Sequence, residues 1–301
     1  MSHNPARRRW LLSAAAGLAG IGLAQLPAAS AATSRSTAAA PPHGGPHLPT
    51  TQVATDVLNI GYYTAGPEQG RPVVLLHDFG YGIDSYAEVA SLLAAQGLRV
   101  IVPYLRGHGS TRFIDSAAIR SGQLAALGYD AIGVFDALHI PEAVLAGFGW
   151  GARAALAAAT LKPTRVRGLV VVDDYLEFEA IPSGRSSAAL ENPDYAAVTT
   201  HAYRHHLGEA AGDPQYDNAE NKLAPHTPIA VPSITLQRGD GNAANDGADG
   251  ADGADGADDA RFSGPHRRLR IASAGRNLPQ QAPRAFADAV AEVVRQATWR
   301  T

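Results

Sequence analysis

The segment Gly147-Phe148-Gly149-Trp150-Gly151 has the residue types of a turn that holds a reactive side chain over the edge of a sheet. It follows the apolar run Ala143-Val144-Leu145-Ala146 and opens an alanine-rich stretch over residues 152–161. A strand, a sharp glycine-flanked turn and a helix in this order make a nucleophile elbow, with Ser, Asp or Cys at the middle position. Covalent hydrolysis asks for that nucleophile, a base to activate water, an acid to orient the base, and N–H donors for the developing oxyanion. Here the middle position is Gly149, which offers no attacking atom. The chain reads as an enzyme scaffold that lacks its nucleophile.

The elements needed to position such a turn lie on both sides of it. Val73-Val74-Leu75-Leu76 is a fully buried strand by its unbroken apolar character. Further strands are expected at 100–102, closed by Pro103, and at 169–172, 231–236 and 266–271. A helix capped by Asp84-Ser85 should run through Gln96 and stop at Gly97. Others are expected over 121–137 and 283–296. Strands alternating with helices predict an α/β fold, a mostly parallel sheet flanked by helices. Residues 175–226 break the rhythm, being polar, interrupted by proline and weakly helical.

The 301 residues are 46% hydrophobic, enough for one large α/β domain or two small ones. Cysteine is absent, which excludes disulfides, thiolate metal sites and a cysteine nucleophile. Setting aside Arg7, Arg8 and Arg9 takes the net charge from −3 to −6, and six aspartates between Asp246 and Asp259 account for all of it. No net basic face remains, which argues against a nucleic-acid partner. The paired arginines precede a mildly apolar stretch and Ala29-Ser30-Ala31, the pattern of a twin-arginine export signal cleaved after Ala31. That stretch is shorter than the roughly 20 residues of a spanning helix and contains Gly17, Gly20 and Gly22, so no membrane association is expected after cleavage. The expected organisation is a signal peptide over 1–31, a flexible leader over 32–55 and one folded domain over 56–301, exported to the periplasm or the medium.

Four motifs in order resemble the α/β-hydrolase family, in particular its epoxide hydrolase and haloalkane dehalogenase branch. Leu75-Leu76-His77-Asp78-Phe79-Gly80 resembles its His-Gly-aromatic-Pro oxyanion turn, and Arg106-Gly107-His108-Gly109-Ser110 its Arg-Gly-x-Gly-x-Ser loop. Gly147 to Gly151 resembles the Gly-x-Asp-Trp-Gly elbow, and Ser273-Ala274-Gly275-Arg276-Asn277-Leu278-Pro279 the segment that carries the catalytic histidine. The resemblance covers residues 56–298 and implies an α/β-hydrolase fold with a reduced cap at about 175–226. It implies oxyanion donors at Phe79 and Trp150, and an orienting acid at Asp240, with Asp173 as second choice. The departures fall on the chemistry. Gly149 stands at the nucleophile position and Arg276 at the histidine position, while Asp78 and Gly80 replace Gly and Pro. A guanidinium stays charged at any working pH, so Arg276 cannot act as base. The family takes two ring-opening tyrosines from its cap; Tyr175, Tyr195 and Tyr203 lie nearby, and no motif assigns any of them that role.

Other candidates have plainer readings. His77 and His108 are expected as structural hydrogen-bonders, and His201, His205 and His206 as solvated residues of a cap helix, because no Glu lies between them as in a zincin motif. The Gly-Ala-Asp repeat within about 241–260 lacks calcium-loop spacing and reads as a solvated insertion. Neither a metal nor another cofactor is expected. The leading functional reading is a catalytically impaired hydrolase relative that keeps an apolar pocket for a small molecule. The alternatives are an active hydrolase of esters, epoxides or haloalkanes using Asp240, Asp173 or a histidine outside the pattern, and a secreted interaction protein. Restoring Asp at 149 alone is expected to permit covalent attack without release.

Overall fold

The computed structural model of the protein describes residues 48–172, 191–223, 227–239, 261–272, 275 and 277–300. These belong to one of the two units into which the chain divides, His43–Thr301. The expected signal peptide and the Gly-Ala-Asp loop lie outside the described residues.

The apolar runs form β3 (Pro72–Leu76), β4 (Arg99–Pro103), β6 (Ala143–Gly147), β7 (Val166–Val172), β8 (Ser233–Gly239) and β9 (His266–Ala272). All six are parallel to their partners within this set. An antiparallel edge is added by β1 (Thr51–Ala54), β2 (Leu58–Ala65) and the two-residue β5 (Arg112–Phe113). The order is β1-β2-β4-β3-β6-β7-β8-β9, with β5 on β2.

Helices α1 (Ala87–Ala94) and α6 (Pro283–Gln296) cover one face, where Val73, Leu75, Val144, Ala146, Val170 and Val172 pack on Val89, Leu93, Phe286 and Val290. Helices α2 (Leu124–Ala137) and α3 (Trp150–Leu161) cover the other, where Val74, Leu76, Leu145, Leu169 and Val171 meet Leu127, Phe135, Ala155 and Ala158. A strand alternates its side chains between faces. Both faces are buried here, which is why these strands read as unbroken apolar runs rather than as alternation.

Three expectations about elements are corrected. Thr51–Ala54, placed in the leader, is a strand; three of its four residues are exposed, so it owes its form to backbone pairing with β2 rather than to an apolar pattern. Asp84-Ser85 does not cap α1; both sit inside a 3-10 turn, Ile83–Tyr86, and the helix starts at Ala87 without a side-chain cap. Within the expected cap remnant, the described part holds two helices, α4 (Tyr195–His206) and α5 (Pro214–Glu220), the second capped by the Asp213 carboxylate. Gly97 ends α1 as expected, at φ +79°. Among the described residues, no helix is long and apolar enough to cross a membrane.

Candidate active site

Strands β3 and β6 are adjacent and in register, with Leu76 opposite Gly147. The turns that leave their C-terminal ends therefore meet, and ligand sites in such sheets form beyond the carboxyl ends of strands. The elbow backbone is retained. Gly149 sits at φ +53°, ψ −123° as the N-cap of α3, a conformation an L side chain adopts only under strain. The turn is also tight: a Cβ on Gly151 would lie 2.0 Å from the Leu76 carbonyl oxygen. Only glycine at 151 lets α3 start so close to β3.

The two N–H groups expected as oxyanion donors do converge. Phe79 N–H and Trp150 N–H both donate at 2.8 Å, and to one atom, Oδ1 of Asp78. That carboxylate is fully buried and lies at the N-terminus of α3, where the helix dipole favours negative charge. It also fills the space of the missing side chain. A Cβ built on Gly149 would lie 2.1 Å from Asp78 Cγ and 2.3 and 2.4 Å from its two oxygens. The glycine at the elbow and the aspartate in the oxyanion turn are thus halves of one arrangement. Restoring Asp at 149 alone would collide with Asp78, which corrects the expectation that this change by itself rearms the site.

His77 and His108 brace the two turns around this carboxylate. His77 donates from Nδ1 to the Asp78 carbonyl at 2.8 Å and accepts the Leu105 N–H at Nε2, 3.1 Å. His108 donates from Nδ1 to the Arg106 carbonyl at 3.0 Å and accepts the Gly80 N–H at 3.3 Å. A carbonyl can only accept and an N–H only donate, so these partners fix each ring as the neutral Nδ1–H tautomer. Burial pushes the His77 pKa down to about 4, against a smaller opposing pull from the Asp78 carbonyl. Burial, then the neighbouring His77, holds His108 well below the usual histidine range. With both ring nitrogens engaged, neither imidazole is placed to act as a general base. Phe79 stacks between the rings of Trp150 and His108, at centroid distances of 4.5 and 5.3 Å.

The Arg106 guanidinium ties the loop after β4 to α2. It makes a bidentate pair with Asp130 at 2.6 and 2.7 Å and donates to the Ser121 and Ala126 carbonyls. Burial opposes its charge, but the Asp130 carboxylate outweighs burial and holds it protonated.

The cap helices dock on the segment that leads into α2. Gln123 donates to Asp217 and accepts the Asp213 N–H, Glu220 accepts the Ala125 N–H, and His201 accepts the Gly122 N–H at Nδ1. The other His201 nitrogen donates to the Ala211 carbonyl. Its ring, stacked on His205 at 5.7 Å, is thereby committed to the backbone rather than to a metal. Beneath these helices lies a cavity of about 200 Å³ lined by Gly122, Leu124, Trp150, Ala202, His205, His206 and Glu220. The lining of this cavity is polar as well as apolar. Trp150 belongs to both this cavity and the oxyanion turn. Tyr195 packs its ring edge-on to His108 at 4.9 Å. Asp173, Asp240, Arg276 and Tyr175 lie outside the described residues.

What sequence reasoning missed is Asp78 itself, noted as a departure but given no role. The signal was present, since Asp78 stands where the resembled motif has Gly, and Gly149 where it has Asp.

The family model for the alpha/beta hydrolase fold matches residues 71–250, more than half of the chain. A solved structure from Klebsiella pneumoniae, provisionally assigned as an epoxide hydrolase, is 36% identical. That match has a TM-score of 0.70 and covers 82% of this chain and 97% of the other. Among curated proteins, an epoxide hydrolase of Caballeronia sordidicola is 34% identical over 116 residues, 38% of this chain and 35% of that protein. A 2-hydroxymuconate semialdehyde hydrolase of Pseudomonas is 33% identical over 152 residues, 49% of this chain and 52% of the relative. The chain thus spans between about a third and a half of the length of these two curated relatives. The parallel sheet, the elbow, the oxyanion turn and these matches together place the chain in the α/β-hydrolase fold family, with its likeness to epoxide hydrolases.

Proposed function

We propose that the protein is an exported, epoxide hydrolase-like member of this family whose turnover is impaired and which keeps a small-molecule pocket. One observation carries the reading: the elbow holds Gly149, and both oxyanion donors are taken by the protein's own Asp78 carboxylate. A substrate carbonyl oxygen has no donor pair to enter. Both site histidines are neutral and fully hydrogen-bonded, and the chain carries Arg276 at the family's histidine position. Among the described residues of the two turns, no group is therefore placed as the base that would release a covalent intermediate. Support for a ligand comes from the cavity of about 200 Å³ beside Trp150, below the roughly 300–1,000 Å³ of drug-sized sites, which suits a small compound. The twin-arginine pattern supports export.

The test is a panel of activated esters, epoxides and haloalkanes assayed with the purified mature protein. Steady-state turnover near background is expected. A turnover above roughly 1 s⁻¹, within the ordinary enzyme range, would refute impairment.

A further inference from the structure

We infer that His201 is an acid-released latch: neutral, it pins helix α4 over the cavity beside Trp150, and protonated it lets go. The inference rests on the proposed small-molecule pocket only for its consequence, which is access to that cavity as pH falls. Helix α4 lies directly on the backbone of Gly122. A Cβ there would lie 2.4 Å from Ala202 Cβ and 2.6 Å from the Val198 carbonyl oxygen, so glycine is what lets the helix seat. Gly122 and Ala202 both line the cavity, which makes this contact a join between its wall and its roof. Across the join, the Gly122 N–H donates to His201 Nδ1 at 3.1 Å.

The bond holds only while the ring is neutral. Nε2 of His201 donates to the Ala211 carbonyl at 3.1 Å, so Nδ1 keeps the lone pair that Gly122 needs. A second proton can go only onto Nδ1. The ring then presents a donor to a donor, and the N–H of the buried Gly122 loses its acceptor. Burial is the largest influence on that proton and resists it. His205, stacked at 5.7 Å on the same helix, and Arg106, from the loop after β4, resist it too, while the Ala211 carbonyl and Asp213, at the N-cap of α5, favour it. The segment 121–124 that leads into α2 carries no charge, and Arg153 of α3 acts on His206. The balance holds His201 below the usual histidine range. Docked α4 thus binds fewer protons than released α4, so docking is full above pH 6.5 and weakens as pH falls below it. The N-terminal end of α4 stays tied by the Arg120–Asp194 pair at 2.8 Å, and α5 by Gln123 and Glu220. Release therefore frees the half of α4 that carries Ala202, His205 and His206, three of the residues that line the cavity.

The experiment follows amide hydrogen exchange by mass spectrometry in the full-length protein at pH 7.5 and 5.5, corrected for the intrinsic pH dependence of exchange, with His201→Asn alongside. An Asn oxygen can accept the Gly122 N–H near the place of Nδ1 and takes up no proton. Protection over 121–124 and 198–206 is expected to fall several-fold in the wild type at pH 5.5 and to hold in folded His201→Asn. One proton, over the pH unit below 6.5, limits the fall to about tenfold. An equal fall in His201→Asn would overturn the inference, as would unchanged protection in the wild type. A fall that spreads to β3 and α1 is acid unfolding of the whole domain and would also overturn it. Should the variant fail to fold, the wild-type ring signals of His201 by NMR decide: they should titrate with the same midpoint as the loss of protection, and a different midpoint overturns the latch. No substrate or ligand enters the measurement, so its failure leaves impaired turnover standing.

Discussion

Asp78→Gly and Gly149→Asp should each damage the protein alone and largely repair each other together. Asp78→Gly leaves the buried N–H of Phe79 and the part-buried N–H of Trp150 without their acceptor, at about 1–3 kcal/mol each. The expected loss is about 4 kcal/mol. Gly149→Asp places Cβ 2.1 Å from Asp78 Cγ, so one side chain must leave the site. That change forfeits charge-assisted bonds of about 1.5–3 kcal/mol each and adds about 1–3 kcal/mol of strain at φ +53°. A loss of about 4 kcal/mol or more follows. In the double variant one carboxylate again meets both donors, and only the backbone strain of about 1–3 kcal/mol should remain. The two substitutions should therefore be coupled by at least about 3 kcal/mol, at the top of the range for residues in contact. Equilibrium unfolding in urea of the wild type, both single variants and the double gives this coupling directly. Additivity within about 0.5 kcal/mol would refute the argument that the two positions share one carboxylate site.

Acid should unfold the protein partly through His77. Its pKa falls from 6.5 to about 4 on folding, so the native state binds fewer protons; stability is full above pH 6.5 and lost as pH falls toward 4, by about 3 kcal/mol in all. Urea unfolding at pH 7 and 4.5 should show a smaller difference in His77→Asn than in the wild type, and an equal difference would contradict the assignment. Arg106→Met strands the Asp130 carboxylate and should cost about 3–5 kcal/mol, whereas the joint change with Asp130→Leu should cost clearly less; thermal unfolding checks both. Export should yield a mature protein beginning at Ala32, and N-terminal sequencing that finds Met1 on exported material would refute cleavage.

Local chemistry is what the sequence carries by itself. Unbroken aliphatic runs at 73–76, 100–102 and 169–172 need burial on both faces, so strands, and a parallel sheet between helices, follow without tertiary knowledge. The elbow is legible for the same reason: glycines at 147, 149 and 151 between a strand and a helix permit few other backbones. The lack of a side chain at the middle of the elbow, Gly149, is legible at once. Strand β1 was not, because Thr51–Ala54 buries little and exists by pairing its backbone with β2, which leaves no periodic trace. The docking of α4 and α5 through Gln123, His201 and Glu220 was equally silent, since each contact joins a side chain to a group distant in the chain. The role of Asp78 is the sharpest case. Aspartate at 78 and glycine at 149 were each visible as departures from a motif, separated by 71 positions. Only the register of β3 against β6, with Leu76 opposite Gly147, brings their turns together, so that the Asp78 carboxylate accepts the Phe79 and Trp150 N–H groups and fills the space beside Gly149.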